Sequence, residues 1–141
     1  MATIQENQAE IVEDFSFLPQ WEERYTYLIE LGQKMDALPD EYRTEENIVR
    51  GCQSLVWLHQ ECRDKTVFFK ADSNSLIVKG LASLLIRVYS GQPAESVLKE
   101  DLFFFEQTGL NKHLSAQRSN GLMAMIDKIR GFAAECAAGE K

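Results

Sequence analysis

The 141-residue chain is poor in cysteine, histidine and proline, with three, two and three of them. Cys52, Cys62 and Cys136 are odd in number, and none stands in a CxxC pair. A disulfide framework is therefore not expected, and three free thiols are the default in a reducing compartment. Two histidines without a Cys/His cluster supply no zinc ligand set, so no metal site is expected. No apolar run approaches the ~18 residues that a membrane-spanning helix needs. A basic excess is missing too: 15 Lys and Arg against 22 Asp and Glu leave a net charge of −7. That is the wrong sign for a protein that neutralises phosphates, so nucleic acid is not an expected partner. The opening MATIQENQAEIVEDF has neither the basic start nor the apolar centre of a secretory signal, and it is too acidic for a transit peptide. A cytoplasmic location follows as the expectation.

What is present is an ordinary globular mixture, 45% hydrophobic and 26% charged, which excludes global disorder. The length suits one domain over residues 1–141, with no internal repeat or low-complexity stretch to divide it. Ile11, Val12 and Phe15 suggest a weak first helix over 8–17. Trp21, Tyr25, Leu28, Gly32 and Met35 recur at spacings of four and three, the stripe of an amphipathic helix that ends before Pro39. Residues 40–50 are polar and read as loop. Residues 55–59 and 66–70 are rich in β-branched and aromatic side chains and predict a hairpin, with 61–65 as its connection. A hairpin alone is marginal, and Ile48-Val49 is the best candidate for a third strand. Asp72-Ser73-Asn74 offers N-cap chemistry for a buried helix over 75–89. Short helical pieces follow over 93–99 and after Leu102. Leu122, Ile126, Ile129, Ala133 and Cys136 mark a long last helix from Ser115 to about Ala137. Segregated helices and strands imply an α+β fold, a small antiparallel sheet covered by helices in two layers.

The three thiols differ in setting. Cys136 lies on the apolar stripe of the last helix and reads as a small buried hydrophobe. Cys62 sits at a hairpin end beside Arg63, with no enclosure to make it reactive. Cys52 lies in a loop just before a strand, where scaffolded reactive groups concentrate. Gly51 allows a positive φ or a close backbone approach. Arg50 brings a positive charge nearby, and Gln53 and Ser54 supply hydrogen-bond partners for a sulfur anion. A cation near a thiol raises its thiolate fraction. No helix N-terminus is evident at Cys52 to depress its pKa further. His59 and His113 have no acid–base partner at a recognisable spacing.

The block Gly51-Cys52-Gln53-Ser54-Leu55-Val56-Trp57 resembles the GCQSxVW signature of the SufE-type sulfur acceptors of iron–sulfur cluster assembly. Other blocks agree in order: Trp21 to Gly32, Asn47, Ala71 to Leu81, and Leu114-Ser115-Ala116-Gln117-Arg118-Ser119-Asn120-Gly121-Leu122. The likeness runs from about Phe15 to Ala134. Asn74 departs from it, standing where an acid is common, and the acidic first dozen residues and the tail from Ala137 to Lys141 match nothing. The resemblance implies a small α+β domain of the SufE/NifU-like kind. It implies that Cys52 takes persulfide sulfur from a cysteine desulfurase (SufS-like or CsdA-like), stimulates it, and passes the sulfur to a downstream scaffold or acceptor. Arg50, Gly51, Gln53, Ser54 and Arg118 would support docking or the sulfur site. Pyridoxal phosphate would belong to the desulfurase, with no cofactor on this chain, which would be a carrier and activator rather than an enzyme in its own right. A one-cysteine thiol redox enzyme and a non-catalytic interaction module are the alternatives.

Overall fold

Thr3 opens the first helix with a capping box: its hydroxyl accepts from the Glu6 N–H, and the Glu6 carboxylate accepts from the Thr3 N–H. The computed structural model describes residues 2–139. Met1, Glu140 and Lys141, which belong to the expected 1–141 domain and its unmatched tail, lie outside the described residues. The described residues form seven helices, α1 (Ile4–Ser16), α2 (Trp21–Lys34), α3 (Leu76–Tyr89), α4 (Ala94–Lys99), α5 (Phe104–Gln107), α6 (Leu110–His113) and α7 (Ala116–Ala137). Three strands, β1 (Val56–Arg63), β2 (Thr66–Ser73) and β3 (Gln92–Pro93), make an antiparallel sheet in the order β1-β2-β3. The α+β class expected from the sequence is the class observed.

Several boundaries differ from expectation for identifiable reasons. Helix α1 begins four residues earlier than its apolar stripe suggests, because its N-terminal half is held by a polar core residue. Gln8 is fully buried, donates to Asp101 O and accepts from the Phe103 and Phe104 N–H groups. The acidic N-terminal segment thus packs on the start of α5. The hairpin connection is only Asp64-Lys65, both at positive φ (51° and 61°), so β1 and β2 extend through residues expected in the turn. Two consecutive positive φ values match the twist of the strands. Ile48 makes a single bridge to Trp57, whereas the third strand is Gln92–Pro93 on the far edge of β2. Pro93 tolerates that position because it has no N–H to donate and an edge strand needs none on its open side.

The inner face of the sheet carries Val56, Leu58, Val67, Phe69 and Ala71, all buried in one core with α3 and α7. Helices α2 and α3 touch backbone to backbone: a Cβ at Gly80 would overlap Leu28 O, and one at Gly32 would lie 2.9 Å from Gly80 N. The outer face is covered by the segment before β1. Tyr42 stacks on His59 with ring centroids 3.6 Å apart, and the Arg43 guanidinium lies 5.0 Å from the Trp57 ring. Arg43 also pairs with Asp72, which Lys79 of α3 holds from another side at 3.3 Å.

The cysteine chemistry is corrected most. Cys62 and Cys136 are joined in a disulfide with Cα atoms 5.8 Å apart, and Cys52 is the one free thiol among the described residues. Their 74-residue separation carries no local spacing signal. The pair forms because α7 runs beside β1 and brings its end over the end of the hairpin. No helix among the described residues is long and apolar enough to cross a membrane.

Candidate functional site

Cys52 stands at the tip of a loop with a fixed neck. The Val49 N–H donates to Val56 O at 2.9 Å, and Ile48 bridges Trp57, so the chain leaves and re-enters the sheet edge at neighbouring points. On the entry side, Lys128 Nζ of α7 donates to Glu46 O and Ile48 O at 3.0 and 3.2 Å. Burial, then the charge of Arg50, holds the Lys128 amine below its ordinary pKa. On the exit side, the Leu55 N–H donates to Asn74 Oδ1, the Asn74 N–H donates to Leu55 O, and the Ser73 hydroxyl donates to the same carbonyl. Asn74, the departure from the family pattern, is therefore a working part of the loop's base.

Between these ties the tip lies along α7. Gly51 adopts φ +91°, the left-handed region that favours glycine, and a Cβ there would approach Ala124 Cβ at 3.5 Å. The Cys52 thiol donates to Gly121 O at 3.5 Å. Burial pushes its pKa above the ordinary thiol value. The sequence alone favours the opposite direction, through the charge of Arg50. That guanidinium is 71% exposed and pairs with Glu45 at 3.4 Å rather than facing the sulfur.

A cleft of about 350 Å³ opens at Cys52, lined by Gln53 and Ser54 from the loop, Ser75 and Val78 from α3, and Ser115, Gln117, Arg118 and Gly121 from α7. Ser75 and Ser115 are the N-caps of α3 and α7, each accepting from an N–H of the first turn. Cys52 is not itself on a helix N-terminus, in agreement with the sequence, but two such termini border its cleft. Of the expected site residues, the fold brings Cys52, Gln53, Ser54 and Arg118 to one cleft, and leaves Arg50 and Gly51 out of its lining. His59 and His113 are taken up elsewhere: His59 bonds Glu61 at 3.0 Å, and His113 stacks on Trp21 at 3.6 Å.

Sequence reasoning missed Gly121, Lys128 and the two capping serines. Gly121 had a signal: a glycine inside a helical stripe costs about 1 kcal/mol relative to alanine and usually has a packing reason. Lys128 had none, since its carbonyl partners lie 80 and more residues away.

A loop-borne thiol over a polar cleft, carried on a three-stranded sheet and a long C-terminal helix, defines an α+β thiol-bearing domain. The family described as "SufE: Fe-S metabolism associated domain" matches residues 9–133. The chain belongs to that family, which is associated with iron–sulfur metabolism. An uncharacterized SufE-like protein of Rhizobium meliloti (strain 1021) is 42% identical over 129 residues, 88% of this chain and 92% of the relative. Another, from Rhizobium etli, is 44% identical over 126 residues, 86% of this chain and 85% of the relative. The solution structure of a hypothetical protein from Thermus thermophilus shares the fold, with a TM-score of 0.77 at 24% identity over 94% of this chain and 96% of that one.

Proposed function

We propose that this protein is a sulfur acceptor: Cys52 takes the terminal sulfur of a cysteine persulfide on a pyridoxal-phosphate cysteine desulfurase, stimulates that enzyme, and hands the sulfur on for iron–sulfur cluster assembly. The observation that carries the reading is Cys52 itself, the free thiol at the tip of a tied loop over an open polar cleft, within a family match that spans the site.

The transfer needs a thiolate and access, as in thiol–disulfide exchange. The Cys52 thiolate attacks the outer sulfur of the partner's persulfide. A new S–S bond forms on Cys52, the partner's S–S bond breaks, and the partner's cysteine leaves as a thiolate. No net electrons move, and the Cys52 proton goes to solvent or to a base of the partner. Gln53, Ser54 and Arg118 border the space that the added sulfur would occupy. Pyridoxal phosphate stays with the desulfurase, and this chain acts as carrier and activator. The other two cysteines are bonded to each other, so neither stands as a thiol to discharge the persulfide as an internal disulfide.

The test is mass spectrometry of the protein after incubation with a SufS-like or CsdA-like desulfurase and cysteine. One added sulfur is expected on Cys52, absent from Cys52→Ser, together with loss of desulfurase stimulation in that variant. Full stimulation by Cys52→Ser would sink the proposal.

A further inference from the structure

Gly121 lies within α7, the longest helix among the described residues, where alanine is the better helix residue. It is buried against the Cys52 loop. A Cβ built on it would stand 3.2 Å from Cys52 Sγ and 3.8 Å from Cys52 Cβ, closer than ordinary van der Waals contact to the sulfur. Its carbonyl accepts a hydrogen bond from the thiol. Gly131, ten residues further along the same helix, has nothing within 4 Å of such a Cβ. The two glycines therefore differ in what their missing side chains make room for.

We propose that Gly121 is the positioning residue that parks Cys52: its bare Cα gives the sulfur a seat, and its carbonyl holds the protonated thiol there between transfers. The proposal deepens the sulfur-acceptor reading and rests on it for its meaning. The seat discriminates by protonation state. An S–H donates to the carbonyl, whereas a thiolate would meet the oxygen's lone pairs and be repelled. Losing the proton and leaving the seat are thus linked. The parked thiol is a poor nucleophile, and one displaced toward solvent regains an ordinary acidity. Arg118 of α7 is the charged residue lining the cleft, α3 contributes only Ser75 and Val78 there, and Arg50 of the loop itself is turned to Glu45. The rest of the loop is tied at Ile48 and Leu55, so a small push at Gly121 moves the tip rather than the neck.

The experiment compares wild type, Gly121→Ala, Gly121→Val and Gly131→Ala for the rate of Cys52 alkylation by iodoacetamide across a pH series, with no desulfurase present. Gly121→Ala is expected to raise the rate at neutral pH several-fold, with Gly121→Val further still. A fall of one pKa unit is a rise of about tenfold in thiolate below the midpoint. The midpoint of the pH profile should move down in the Gly121 variants and stay in place in Gly131→Ala. A melting curve on each variant separates a displaced sulfur from a loosened fold: Gly121→Ala should keep a cooperative transition. Equal rates and midpoints for wild type and Gly121→Ala would overturn the seat. The desulfurase arm is separate: if the Gly121 variants react faster with iodoacetamide but no variant, wild type included, gains sulfur from a desulfurase, the seat stands and the acceptor reading falls.

Discussion

Cys62 and Cys136 are bonded at the end of α7 opposite the Gly121 that touches Cys52. The two points on the helix are fifteen residues apart, about 22 Å at 1.5 Å per residue. The bond fastens the helix to the hairpin at one end, while the other end walls the cleft.

Reduction should therefore loosen the protein without touching Cys52. Cross-linking residues 74 apart removes denatured-state entropy worth about 4 kcal/mol on the chain-entropy account, with about 2–4 more usual. Thermal unfolding with and without a thiol reductant should show a Tm lower by several degrees when reduced. Cys62→Ser should melt at that lower temperature in both buffers. A Tm in wild type that ignores the reductant would contradict this.

Raising the pH should weaken the fold through Cys52. Burial raises the thiol's pKa in the folded state, so the unfolded chain loses this proton first. Between the unfolded value, about 8.5, and the higher folded value, the folded state binds more protons and stability falls as pH rises. Below that window the contribution is constant. Urea titrations of wild type and Cys52→Ser at pH 7 and above 9 should show wild type losing stability relative to the variant; parallel curves would argue that the thiol is freely solvated.

Asp72 should matter at the acid end. Burial pushes its carboxyl up, but hydrogen bonds from Arg43, the Ser73 N–H and Lys79 outweigh that and hold the pKa below its ordinary value. A lowered folded pKa gives stability that is present above the unfolded value, about 3.9, and is lost as pH falls through the folded one. Asp72→Asn should cost about 2–3 kcal/mol at pH 7, the scale of a charged hydrogen-bond partner removed. The gap from wild type should close below pH 4 in acid titrations followed by circular dichroism.

The α2–α3 crossing should tolerate no Cβ at Gly80. Its overlap with the Leu28 carbonyl is against backbone, which no rotamer change relieves. Gly80→Ala should destabilise by about 3 kcal/mol or more, against the gain that helix propensity alone predicts. Gly131→Ala is the open-space counterpart and should be neutral or stabilising; similar melting of the two variants would refute the close crossing.

Much of the fold is legible where one periodicity dominates. The stripe Trp21-Tyr25-Leu28-Gly32 and the run Leu81 to Val88 give α2 and α3 directly. The β-branched and aromatic content of residues 55–59 gives the start of β1. The reading fails where a distant partner decides. Nothing near Gln8 says that it will meet the Phe103 and Phe104 amides, so α1 reads short. Ile48-Val49 has the composition of a strand but makes only a single bridge, to Trp57 at the open edge of β1, while the third strand, Gln92–Pro93, pairs with β2 far along the chain. At the site, Cys52, Gln53 and Ser54 are visible as one block, and Arg118 comes with the resemblance. Gly121 shows only as a glycine within a helical stretch; its contact with Cys52, 69 residues away, is decided by packing.

The sequence by itself determined that Cys52 lies in a loop block of the SufE pattern, that the class is α+β, and that the family is that of SufE, because these rest on local residue types and short spacings. Tertiary structure decided the burial of the Cys52 thiol, its contact with Gly121, the exclusion of Arg50 from the cleft, and the Cys62–Cys136 bond. Each of those depends on which surfaces α7 lays against the hairpin and the loop before it. Burial and contact between residues tens of positions apart are properties of that packing, and no local pattern encodes them.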